Sequence, residues 1–169
     1  MFTRIQHASS AAYLALALAL ITLTSTAMAQ TAASGADGLI KVKSAYPVDE
    51  TIARIRNDIA AKGIQFFMAV DQAQLAAEAG IKLRPSTLLV FGNPPLGAQF
   101  LTSNPYSGLD WPVRLLVLQD EAGAVWATYT DFAWIAQRHG ITDRQQQFAM
   151  ASRVVESITS SVLATSSAK

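Results

Sequence analysis

The sequence predicts an α+β fold, a single mixed sheet of about five strands with helices packed on it, in the order β-α-β-α-β-α-β-β-α-α. Three observations carry that expectation. Short runs that alternate, or that are apolar at every position, are interleaved with longer stretches whose apolar residues recur at helical spacing. Glycine, proline or a capping Asp or Asn stands at the junctions between them. Asp120-Glu-Ala-Gly123 reads as a hairpin turn, so the sheet cannot be wholly parallel. A doubly wound nucleotide fold is not expected, because no GxGxxG follows the first strand.

Residues 1–29 read as a signal peptide. Arg4 is the basic start, Ala11 to Leu23 the apolar core, and Ala27-Met28-Ala29 the small-x-small cleavage pattern before Gln30. That core is shorter than the roughly 20 residues a bilayer span needs, so cleavage after Ala29 and a periplasmic or secreted protein are expected, with no stable membrane insertion afterwards. Without Arg4 the 13 Lys+Arg fall to 12 against 12 Asp+Glu. A near-zero net charge argues against nucleic acid or an anionic membrane as partner. The remaining ~140 residues suit one domain, residues 39–164, with 30–38 as a flexible lead-in and 165–169 as a fraying tail.

Leu39 to Ser44 alternates as an edge strand does. Pro47 opens a helix with Asp49 and Glu50 in its first turn, Val48, Ile52, Ile55 and Ile59 as its apolar stripe and Gly63 as its stop. Its charged side, Arg54, Arg56, Asp58 and Lys62, reads as a solvated face. Ile64 to Val70 is a second strand, and Asp71 caps an alanine-rich helix that Gly80 ends.

Thr87 to Phe91 is apolar on both pleat faces, which predicts an interior strand covered on both sides. Gly92 then accepts φ > 0 or a close neighbour, Asn93 caps, and Pro94 starts a short helix. Such a corner is a structural junction, a neutral-ligand pocket or a phosphate loop. The last is disfavoured because Pro94 and Pro95 carry no N–H. Ser103 to Pro112 is a ten-residue loop without a period of its own, dense in turn formers and carrying Tyr106 and Trp111. Val113 to Leu118 is an interior strand and Val125 to Thr130 its hairpin partner, with Trp126 and Tyr129 on opposite faces. Asp131 caps the helix Phe132 to His139. Thr142 to Gln145 forms a capping box for a last helix, whose stripe of Phe148, Ala151, Val155, Ile158 and Val162 finishes the core or meets a second subunit.

Leu88-Leu-Val-Phe-Gly-Asn-Pro94, then Leu109-Asp-Trp-Pro112, the strand ending at Tyr129 and the helix end Arg138-His139-Gly140 resemble the family called domain of unknown function 302. The resemblance runs from Ala45 to Ile141. It implies a small α+β domain that can self-associate, and it brings no established activity. Members often carry leucine where this chain has Trp111 and asparagine where it has Thr130.

A pocket is expected where the Asn93 corner meets the loop from Leu109 to Pro112 and the end of the Tyr129 strand. Asn93, Asp110, Trp111, Tyr129 and His139 are its candidate ligand-binding residues, a donor-acceptor, a charge, an apolar wall, a hydroxyl and an imidazole. Each also has a structural reading: cap, turn residue, core, sheet residue and helix-end residue respectively. No cofactor or metal is expected: there is no cysteine, His139 is the one histidine after cleavage, and no HxH, HExxH or Asp-rich loop occurs. Three functions follow: an envelope module binding a small molecule, a structural homodimeric envelope domain, and a hydrolase or isomerase using Asp110 with His139.

Overall fold

The computed structural model describes residues 35–164. The signal-peptide reading of 1–29, the start of the lead-in and the tail 165–169 lie outside the described residues. Strands β1 (Leu39–Lys43), β2 (Gln65–Asp71), β3 (Ser86–Gly92), β4 (Val113–Gln119) and β5 (Val125–Thr130) form one sheet in the order β1-β5-β4-β3-β2. All four ladders are antiparallel, where a mixed sheet was expected. The reason is connectivity: β1 and β2, joined through the α1 crossover, point the same way but stand at opposite edges of the sheet, so no two parallel strands are neighbours.

The helices are α1 (Val48–Ala61), α2 (Gln72–Glu78), α3 (Pro94–Ser103), α4 (Phe132–Arg138) and α5 (Gln145–Ser160). Apart from α2, which buries no side chain, their apolar stripes cover one face of the sheet, the one carrying Val42, Leu89, Phe91, Leu115, Val117, Ala127 and Tyr129. Ile55 and Ile59 of α1 and Ile158 of α5 are fully enclosed there. The whole α5 stripe predicted from the sequence, Phe148 to Val162, belongs to this core, with Phe100 of α3 stacked on Phe148 at 4.3 Å between ring centroids.

The opposite face differs from expectation. Val70, Leu88, Val90, Leu116, Leu118 and Trp126 lie there half-buried, and Met68 is 52% exposed. Thr87 to Phe91 is therefore interior to the sheet but covered on one side only. Apolar residues at every position cannot distinguish a second packed layer from an open apolar face, because both use the same side chains.

Caps account for the helix boundaries. Asp71, Asn93 and Asp131 accept from the backbone N–H of Gln74, Leu96 and Ala133. The capping box at Thr142 does not form. Helix α5 starts after Arg144 with no side-chain cap, while the Asp143 carboxylate accepts from the Ser103 hydroxyl and pairs with Arg144. A tertiary partner outcompetes the local motif. Residues 35–38, the described end of the lead-in, form a turn joined to the domain through the Asp131 N–H, which donates to the Gly38 carbonyl.

Candidate functional site

The corner after β3 and the loop before β4 do meet. Asn104 caps a 3-10 helix, Pro105–Leu109, so the stretch expected as an irregular loop has a turn of its own, and a cis Trp111–Pro112 bond follows. The Trp111 indole lies flat in the space that side chains at positions 92 and 97 would occupy. A Cβ at Gly92 would fall 1.8 Å from Cη2 of Trp111, and one at Gly97 1.9 Å from Cε2. Gly92 does not adopt a positive φ, as was expected of it. It is glycine because an aromatic ring approaches its α-carbon, as it does that of Gly97 within α3.

Beneath this ring is a cavity of about 400 Å³. Its walls are Ile64, Phe91, Leu96, Phe100, Trp111, Val113, Phe132, Val154 and Val155, and its polar lining is Lys62, Asn93, Arg153 and Ser157. That size is within the roughly 300–1,000 Å³ of small-molecule sites, which are likewise apolar with a few polar groups. The α3 N-terminus supplies no anion cradle. Pro94 and Pro95 occupy its first positions, and Asn93 takes the N–H groups of Leu96 and Gly97 with its side-chain and backbone oxygens. The Asn93 side-chain NH₂ takes no part in the cap.

Of the five predicted site residues, Asn93 and Trp111 line the cavity and three do not. Val113 and Phe132 also border a space of about 10 Å³ beside Asp110, and so stand between that carboxylate and the cavity. The Asp110 side chain, 3% exposed, is the hub of a charged cluster. His139 Nε2 is 2.7 Å from its Oδ2, Arg114 donates to Oδ1 at 2.9 Å, and Arg138 donates to both oxygens at 3.3 and 3.1 Å. The Asn104 side chain fixes the His139 carbonyl at 2.8 Å. His139 therefore answers to a carboxylate across the fold rather than to the helix end alone.

Asp110 and His139 are close enough for acid-base work, yet the adjoining ~10 Å³ is about what one water requires, far below a substrate. Two guanidiniums already occupy the carboxylate. The geometry describes a clasp joining the 3-10 segment, β4 and the end of α4. Among the described residues no three His, Cys, Asp or Glu side chains cluster as a metal site would require.

Tyr129 points into the core, 3% exposed, and its hydroxyl lies beside that of Thr159 without a well-formed hydrogen bond. The neighbouring Thr159 donates its own hydrogen to the carbonyls of Val155 and Glu156. Burial, with the Glu156 charge adding to it, pushes the phenol up from 10 to about 12. The neutral form is favoured on folding, so Tyr129 contributes stability that is full below pH 10 and lost as pH rises toward 12. Wild type should lose roughly 2–3 kcal/mol more than Tyr129→Phe across that window, at about 1.4 kcal/mol per pH unit. Urea denaturation of both proteins from pH 9 to 12 checks this; parallel pH profiles would refute it.

A family model, "Domain of unknown function DUF302", matches residues 40–158. This chain belongs to the DUF302 family. The crystal structure of an uncharacterized conserved DUF302 protein from Bacillus stearothermophilus is similar to it with a TM-score of 0.68, covering 75% of this chain and 98% of that one at 17% identity, which speaks for the fold alone. Curated relatives include "Fluoride-specific ion channel FluC 1" of Brucella suis, 41% identical over 104 residues, covering 62% of this chain and 41% of the relative. The same name in Brucella abortus stands at 41% identity, covering 62% and 38% respectively. The chain thus spans about two fifths of the length of these relatives. No helix among the described residues is long and apolar enough to cross a membrane.

Sequence reasoning missed Lys62, Arg153 and the two arginines on Asp110. Lys62 was read as part of a solvated face. Met150, Arg153, Val154 and Ser157 share helical spacing beside the α5 core stripe, a pattern that could have marked a second, half-buried face.

Proposed function

We propose that this DUF302 domain is a small-molecule-binding module of the cell envelope, holding its ligand in the cavity beneath Trp111. The observation that carries the reading is a cleft of ~400 Å³ walled mostly by apolar side chains with a few polar groups among them, the make-up of a small-molecule site. Export is supported by Arg4, the apolar run Ala11 to Leu23 and Ala27-Met28-Ala29. The Brucella relatives, of whose length this chain spans about two fifths, are named as fluoride-specific channels. Fluoride conduction is not carried over to this chain.

The test uses protein beginning at Gln30 and 1-aminoanthracene, a neutral apolar fluorophore. Saturable binding is expected, weakened at least tenfold by Val154→Phe, which projects into the cavity. No saturable binding, or an affinity unchanged in that variant, removes the reading.

A second reading, self-association, is favoured by the open sheet face of Leu88, Val90, Leu116, Leu118 and Trp126. A homodimer would cover it. Sedimentation velocity at micromolar concentration should then show a dimer that Leu116→Lys dissolves; a monomeric wild type rejects it.

A further inference from the structure

The charged groups on the cavity wall are of one sign. Lys62 ends α1 and Arg153 projects from α5, and no Asp or Glu is among the lining residues. Lys62 Nζ is 2.8 Å from Asp58 Oδ2, so its charge is largely spoken for. Arg153 is exposed and has no carboxylate partner among the described residues. Beside these cations stand two uncharged donors, the Asn93 NH₂ left over from capping and the Ser157 hydroxyl. The rest of the wall is apolar.

We infer that the ligand is a single-chain amphiphile with an anionic head. Its chain lies under Trp111 against Phe91 and Phe100, and Arg153 takes the head, with Lys62 and Asn93 beside it. This rests on the cavity being the binding site and adds the chemical class of what it binds. A planar guanidinium at the edge of an apolar wall holds a carboxylate or phosphate through paired N–H donors, and the low-dielectric surface beside it strengthens the contact. A cationic head would meet two positive charges, and a neutral head would leave the Arg153 donors to water. The chain length follows from volume. At roughly 30 Å³ for each water-sized group, a space of about 400 Å³ takes at least about a dozen heavy atoms. Decanoate is of that size.

Decanoate, decan-1-ol, decyltrimethylammonium and acetate are titrated against 1-aminoanthracene bound to the protein beginning at Gln30. Decanoate is expected to displace the probe at least ~10-fold more tightly than decan-1-ol, and the other two hardly at all. Arg153→Gln should bring decanoate down to the level of decan-1-ol, and Lys62→Gln should have a smaller effect of the same sign. Equal displacement by the alcohol and the carboxylate overturns the inference while the binding reading stands. So does acetate matching decanoate, since the apolar wall would then play no part. Absence of 1-aminoanthracene binding overturns both readings. Decyl phosphate run beside decanoate separates the two head chemistries: tighter displacement by either one still supports an anionic head.

Discussion

Asp110→Ala is expected to cost about 2–4 kcal/mol of folding stability, measured by urea denaturation near neutral pH. The estimate comes from what each partner would do without the carboxylate. Arg114 and Arg138 have side chains 49% and 44% exposed, so water replaces Asp110 for them and their share is that of surface pairs, at most about 1 kcal/mol each. His139 is different. Its side chain is 6% exposed, its carbonyl is fixed by Asn104, and its Nε2 would face a void with no acceptor. An orphaned buried donor and a small cavity then account for most of the loss. Asp110→Asn keeps the volume and one acceptor and should cost less than Asp110→Ala. A double-mutant cycle with His139→Ala should show coupling above ~1 kcal/mol between the two positions. A loss below ~0.5 kcal/mol for Asp110→Ala would mean that the cluster behaves as an ordinary surface network, and the clasp would have to be abandoned.

Gly97→Ala and Gly92→Ala should each destabilise by about 2–3 kcal/mol, the upper part of the range for overpacking, because the atom in the way is not the end of a flexible chain. The added methyl would overlap the Trp111 ring at 1.9 or 1.8 Å, far inside any real contact. The indole belongs to the residue next to the hub Asp110, so it cannot slide aside without disturbing that cluster. It must leave its site and expose the cavity. The expected signature is a lowered melting temperature together with red-shifted tryptophan emission. Trp111→Leu, smaller at the same place, should restore most of the stability of Gly97→Ala while costing stability alone. If Gly97→Ala melts as wild type does, the ring does not rest there, and the roof of the proposed site goes with it.

Much of the fold was legible because its signals are local. Asn93 and Asp131 cap for reasons contained within three residues, Pro47 presets the first turn of α1, and the stripes of α1 and α5 state which side must leave water. The site was legible in part. Gly92 and Asn93 were singled out for a corner that can admit a neighbour, and a neighbour is there. The neighbour's identity is another matter: positions 92 and 97 are glycine on account of an indole fourteen or more residues away, and neither helix nor strand propensity contains that.

Residue chemistry along the chain was enough to set the α+β class, the order of its elements, the caps at Asp71, Asn93 and Asp131, the absence of thiol chemistry and the apolar stripes, since each depends on neighbours a few bonds away. Strand register and the path of the 103–112 segment were needed to turn Asp110 toward His139 and away from the cavity and to leave one sheet face open, and the packing of α1 against α5 to put Lys62 and Arg153 on one cavity wall. Those are meetings between residues tens of positions apart. They are fixed when the core closes, because close packing of the whole chain, and not the preference of any segment, selects which surfaces touch.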